Sequence, residues 1–151
     1  MCGIAGIIAP FVLNRQALTD MAEAMARTLY HRGPDSHGVW VDPQHQLALS
    51  HRRLSIQDLS SAGHQPMSSA SGRFHLVFNG EIYNFKHLSQ KLQQIGWRFQ
   101  GHSDTEVLLT AIEQWGVEKA IGHCNGMFAF AVWDRQEQEL ILCRDRMGEK
   151  P

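Results

Sequence analysis

Met127-Phe128-Ala129-Phe130-Ala131-Val132-Trp133-Asp134-Arg135-Gln136-Glu137-Gln138-Glu139-Leu140-Ile141-Leu142-Cys143 is the stretch whose reading decides the fold class. Two apolar runs flank the polar segment Asp134 to Glu139. The first run is short and rich in aromatic side chains, which favours a strand over a helix. The polar segment is too short for a crossover helix, which needs about a dozen residues, so the runs are expected to pair as an antiparallel hairpin.

The same pattern recurs towards the N-terminus. Val39-Trp40-Val41 and Leu47-Ala48-Leu49 read as two strands joined through Asp42-Pro43. Ile4 to Ile8 reads as a buried strand ending before Pro10, and Phe74 to Phe78 as another, ending at Asn79-Gly80. Asn14 is placed to cap a helix from Arg15 to about Tyr30, with Leu18, Met21, Ala22, Met25 and Leu29 on one inward face. Residues 84 to 95 form an amphipathic pattern with Leu88, Leu92 and Ile95 inward. Ser103-Asp104-Thr105-Glu106 is a capping box opening a helix to about Trp115, ended by Gly116. Two hairpins among interleaved helices argue for an α+β layered domain, with a crossover-linked parallel sheet as the alternative.

Bulk properties exclude several classes. The chain has 151 residues, 43% of them hydrophobic, which suits one domain with a real core. The formal net charge is -1, and no basic stripe points to nucleic acid. No apolar run is long enough for a membrane span, and no signal-peptide pattern opens the chain. Cys2, Cys124 and Cys143 lack paired spacing and read as reduced thiols of a cytoplasmic protein. The nine histidines are scattered and form no metal-ligand motif, so no metal is expected.

Cys2 follows the initiator Met1 directly. Removal of Met1 would place a thiol and a free α-amino group on one residue. An α-amino group ordinarily titrates at about 7.7–8.0 and a thiol at about 8.5, so both are poised near neutrality. That is the N-terminal form of the nucleophile-plus-base arrangement. The alternative is an incidental small residue at a strand start.

The segments Met1-Cys2-Gly3-Ile4-Ala5-Gly6, His31-Arg32-Gly33-Pro34-Asp35, His51-Arg52-Arg53-Leu54-Ser55-Ile56-Gln57-Asp58, Phe78-Asn79-Gly80-Glu81-Ile82-Tyr83-Asn84, Ser103-Asp104-Thr105-Glu106 and Gly126-Met127-Phe128-Ala129-Phe130-Ala131 occur in that order, before Arg144-Asp145-Arg146-Met147-Gly148-Glu149-Lys150-Pro151. Together they resemble the glutaminase domain of class II glutamine amidotransferases. Asn79-Gly80-Glu81-Ile82-Tyr83-Asn84 and the terminal segment resemble the glutamine-hydrolysing asparagine synthetase branch. The resemblance spans residues 1–151.

The resemblance implies a four-layer αββα sandwich of two antiparallel sheets, of the N-terminal nucleophile hydrolase type. It implies that Cys2 attacks the side-chain amide of L-glutamine, with its α-amino group carrying the proton. Asn79 and the Gly80 N–H would hold the oxyanion. Asn-Gly between apolar runs is also a hairpin-turn signal, and a tight turn would expose that N–H. Arg53 matches the family's position for gripping the α-carboxylate, its planar guanidinium suiting a bidentate bond. Arg52 beside it is the alternative, and the sequence does not choose between them. Backbone along Leu54, Ser55, Ile56 and Gln57 would help hold the substrate. Glu81 and Asp104 match the positions that accept the α-ammonium, though Asp104 in a first helical turn also suits the helix dipole.

The remaining expectations concern loops and partners. Arg32 and Asp35 suggest an ion pair or clamp about Gly33-Pro34. The loop from about Ser60 to Arg73 is a candidate lid, with His64 and Gln65 inside it. Cys124 and Cys143 are expected to be inert core thiols. The polar tail Arg144 to Pro151 reads as a connection onward, so the chain is expected to be one domain of a longer protein. In the family, ammonia passes to a C-terminal ATP-dependent synthetase domain that amidates a carboxylate such as aspartate. No Gly-rich phosphate loop appears here, so ATP and Mg²⁺ are not expected to bind this domain. A homodimer is compatible with the family expectation. Two other functions stay open: a related hydrolase acting on another amide, and a non-catalytic glutamine-binding domain that retains Met1.

Overall fold

The Met127–Cys143 stretch folds as the hairpin of β6 (Gly126–Asp134) and β7 (Glu139–Arg144). Asp134 closes it by accepting the N–H groups of Gln136 and Glu137 at 2.9 and 3.2 Å, and Gln138 takes a left-handed φ of 57°. The hairpin of β2 (Ser36–Asp42) and β3 (Leu47–Arg53) uses the same device. Asp42 accepts from the N–H groups of Gln44 and His45, and Gln46 takes a φ of 54°. An aspartate side chain thus stands in for a backbone turn at both hairpins.

The computed structural model describes residues 1–55 and 61–151. The other elements are β1 (Gly3–Ile8), α1 (Arg15–Thr28), β4 (Met67–Ser68), β5 (Phe74–Ile82), α2 (Phe85–Gln94), α3 (Asp104–Trp115) and α4 (Val117–His123). One sheet has the order β1-β3-β2 and the other β4-β5-β6-β7, every pairing antiparallel. The parallel alternative is therefore excluded, and the chain is α+β.

Burial follows the strand period of two. Leu18 and Ala22 of α1 pack on Val41 and Ala48 of the first sheet. Leu47 and Leu49, on the other face of β3, meet Val77, Ala131 and Trp133 of the second sheet. Leu76, Phe78, Phe128 and Phe130 face Leu88, Leu108 and Ile112 of the helices beyond. Caps fall where the sequence places them. Asn14 accepts from Ala17 N at 2.8 Å and Ser103 from Glu106 N at 3.2 Å.

Several expectations are corrected. Ile95 is 55% exposed, because α2 ends one residue earlier and turns through Gly96. Met21 is exposed as well, and Ala26 takes the inward place on α1. Asn79-Gly80 is not a turn. β5 runs straight through it to Ile82, in register with β6. Residues 61–73, expected to be a loop throughout, include regular structure. β4 pairs with β5, and Glu113 of α3 accepts from Ser69 Oγ, Ala70 N and Ser71 N.

Candidate active site

The edge of β5 that faces away from β6 carries the site. β4 covers this edge at His75 and Leu76 and then stops. Beyond it, side chains take over the pairing. Gln65 Oε1 accepts the Phe78 N–H at 2.6 Å, and Asp104 Oδ2 accepts the Ile82 N–H at 2.9 Å. Alternate N–H groups leave the same edge of a strand, so the Gly80 N–H points between these two caps. Across the ladder Phe128 turns its own backbone outwards, its N–H to Asp145 Oδ2 and its carbonyl to Asp145 N. Gly80 and Phe128 are therefore a close, non-hydrogen-bonded pair. A Cβ on Gly80 would overlap the Met127 carbonyl and the Phe128 Cα and Cβ, which is why this position holds glycine. Among the described residues nothing bonds the Gly80 N–H, and it opens into a cavity of about 190 Å³.

Cys2 lines the same cavity, at the entrance to β1. Its sulfur accepts the Leu54 N–H at 3.4 Å and lies 3.7 Å from the Leu54 carbonyl. Arg32 Nε donates to the Cys2 carbonyl at 3.1 Å, while Asp35 accepts the Ser55 N–H at 2.7 Å. Of the two expected forms, ion pair or clamp, Arg32 and Asp35 make clamps, each on the chain around the sulfur. Asn79 lines the cavity too, buried, on the face of β5 that Val77 turns towards the first sheet.

Strand alternation separates the two arginines. β3 extends to Arg53, so Leu49, His51 and Arg53 share one face while Ala48, Ser50 and Arg52 share the other. Arg52 Nε donates to the Gly33 carbonyl at 2.9 Å, and its guanidinium sits 4.7 Å over the Tyr30 ring. Arg53 reaches the cavity. Its guanidinium lies where a Cβ of Gly63 would be, so residue 63 leaves the room it needs.

Glu81 and Asp104 also line the cavity. Burial pushes the Asp104 carboxyl up from the ordinary range, with the Glu81 charge adding, against the pull of the Ile82 and Thr105 N–H groups. Leu54 is at the cavity, but Ser55 is not among its lining residues and spends its N–H on Asp35. Ile56 and Gln57 lie outside the described residues. Among the described residues, no group of three or more His, Cys, Asp or Glu side chains could hold a metal ion, and no helix is long and apolar enough to cross a membrane.

A family model described as a glutamine amidotransferase domain matches residues 1–151. The chain belongs to the class II glutamine amidotransferase family. It is 38% identical to asparagine synthetase [glutamine-hydrolyzing] 3 of Bacillus subtilis over 100% of its own length and 24% of that protein. It is 40% identical to a putative asparagine synthetase [glutamine-hydrolyzing] of Mycobacterium tuberculosis, covering 100% of the chain and 25% of that protein. It is 38% identical to the amidase chry2 of Gibberella zeae, covering 99% of the chain and 23% of that protein. The chain thus spans about a quarter of the length of these relatives. The glutamine phosphoribosylpyrophosphate amidotransferase of B. subtilis, solved with ADP and GMP, shares the fold. Its TM-score is 0.75 at 22% identity, covering 89% of this chain and 36% of that one.

The amidotransferase domain also uses residues that sequence reasoning left out. Asp145 gathers the N–H groups of Phe128, Met147, Glu149 and Lys150. Those bonds, the Glu149 N–H foremost, hold its carboxyl down at about 2. The tail, which has no apolar anchor in its sequence, is therefore tied to β6 by polar bonds. Its Lys150 is buried, lines the cavity and donates to the Met1 sulfur at 3.4 Å. His51, in the same amidotransferase core, has its ring pushed down to about 4, chiefly by burial. Burial likewise raises the Cys124 thiol to about 11 and the Cys143 thiol in the same direction; Cys124 is a core residue, whereas Cys143 is half-buried at the edge of the core.

Proposed function

We propose that this domain hydrolyses L-glutamine to L-glutamate and ammonia through a thioester on Cys2, once Met1 has been removed. The observation that carries the proposal is the shared cavity. A sulfur, an open backbone N–H at Gly80, an amide at Asn79 and the charged groups of Arg53, Glu81 and Asp104 all line it. Arg53 binds the α-carboxylate, and Asp104 and Glu81 receive the α-ammonium. The Cys2 thiol gives its proton to its own α-amino group as sulfur attacks the side-chain carbonyl carbon. Asn79 and the Gly80 N–H hold the oxyanion. The carbon–nitrogen bond then breaks, the proton returns to the leaving nitrogen, and ammonia departs. Water adds to the thioester, glutamate leaves, and the thiol is restored.

The packing order of α1, two sheets and the remaining helices supports the four-layer αββα, N-terminal nucleophile hydrolase reading. Similarity to the asparagine synthetases supports delivery of ammonia to an ATP-dependent synthetase domain of a longer, cytoplasmic protein. On this reading ATP and Mg²⁺ belong to that domain, and residues 1–151 work without a cofactor.

A second reading rests on Met1, which lines the cavity and is held by Lys150. With Met1 in place the Cys2 nitrogen is a peptide amide and cannot take the proton, leaving a binding domain. The similarity to an amidase keeps a different amide in view. Intact mass shows whether Met1 is retained, and assay of the processed chain against L-glutamine and a panel of other amides, reading ammonia and the acid product, separates the remaining two. Release from glutamine alone supports the proposal, and release from another amide alone contradicts it.

A further inference from the structure

Phe78 precedes the two oxyanion donors, and side chains hold both of its backbone groups. Gln65 Oε1 accepts its N–H at 2.6 Å, and His51 Nε2 lies 3.1 Å from its carbonyl. A carbonyl only accepts, so the His51 proton sits on Nε2. This leaves the buried Nδ1 without a partner among the described residues. His51 is 1% exposed and Gln65 5% exposed. They come from different elements, the inward face of β3 and the segment before β4, and converge on the two peptide units that flank the Phe78 Cα. Gln65 Nε2 reaches Thr105 Oγ1 of α3 at 3.5 Å, a weaker tie to the element that carries Asp104.

This grip falls where the sheet gives none. β4 has ended two residues earlier, and the next N–H along the edge is that of Gly80. A strand edge with free N–H groups at both 78 and 80 would admit water to either and would not hold the Gly80 donor at a fixed height. Capping positions 78 and 82 leaves one donor, aimed into the cavity.

We propose that Gln65 and His51 are positioning residues that clamp the backbone on both sides of the Phe78 Cα and so aim the Gly80 N–H and the Asn79 amide at the developing oxyanion. The proposal rests on the glutaminase reading. Neither side chain takes part in the chemistry, and the effect is on kcat more than on KM.

The test uses the processed full chain and three proteins: wild type, Gln65→Met, which removes the acceptor at similar volume, and Gln65→Glu, which keeps an acceptor at the same reach. Gln65→Met is expected to lower kcat for L-glutamine on the order of 10²-fold with KM held within about threefold, the signature of misplaced transition-state donors. Gln65→Glu is expected to recover most of kcat, which a merely structural role would not produce. An active wild type beside a folded Gln65→Met chain with unchanged kcat overturns the clamp, as does equal loss in both variants. If Gln65→Met does not fold, Gln65→Glu decides alone, by keeping or losing kcat. A wild type that releases no ammonia from glutamine is a different failure, that of the glutaminase reading itself.

Discussion

The Leu54 N–H points at the Cys2 sulfur across 3.4 Å, and the Leu54 carbonyl lies 3.7 Å from the same sulfur. One residue thus offers a donor and an acceptor. A thiol can give its proton to the carbonyl, and a thiolate can take the N–H, so the sulfur is held in both forms. Leu54 directly follows Arg53. The sulfur and the guanidinium that line one cavity are therefore placed by the same end of β3.

Arg53→Ala is expected to raise KM for glutamine about 10- to 100-fold, the scale of a lost charged hydrogen-bonded contact worth about 1.5–3 kcal/mol. Gly63→Ala should raise KM in the same direction by displacing the Arg53 guanidinium. Arg52→Met should instead lower the thermal midpoint and leave KM near wild type, because Arg52 serves Gly33 and Tyr30. Steady-state kinetics with a melting curve on each variant checks the division.

Asn79→Ala is expected to lower kcat about 10²–10³-fold, as loss of one oxyanion donor does, while glutamine still binds. Isothermal titration beside a single-turnover assay separates the two. A large rise in KM with unchanged kcat would assign Asn79 to substrate binding instead.

Acid should destabilise the fold between about pH 6.5 and pH 4. Burial holds the His51 and His75 rings down to about 4 in the folded chain, whereas an unfolded histidine takes its proton at about 6.5. As pH falls through that window the unfolded state binds protons that the folded state refuses, so stability falls. Below about 4 these two groups add no further slope. Urea unfolding at a series of pH values should show the decline, and His75→Gln should make it shallower.

Much of the fold is legible in the sequence because apolar spacing reports burial. The hairpins about Asp42 and Asp134 and the caps at Asn14 and Ser103 stand where local chemistry puts them. The site is less legible, because its residues are polar side chains inside strands. Ser50 to Arg53 follow the apolar part of the strand, yet β3 continues through them, with Ser50 Oγ bonded to the Ala5 carbonyl, His51 Nε2 to the Phe78 carbonyl and Arg52 Nε to the Gly33 carbonyl. Asn79-Gly80 has the local signature of a turn, and the Met127 carbonyl and the Phe128 backbone beside it explain the glycine. Gln65 acts on the Phe78 N–H and Asp145 on the Phe128 N–H, 13 and 17 residues away, which no periodicity records.

Intact mass of the chain, before and after exposure to a glutamine analogue with an electrophilic side-chain carbon, tests the central claim that Cys2 is an N-terminal nucleophile. The expected result is a mass lacking Met1 and one adduct mapping to Cys2, absent in Cys2→Ala and spared at Cys124 and Cys143. A folded, processed chain that takes no adduct, or takes it at another cysteine, would contradict the claim.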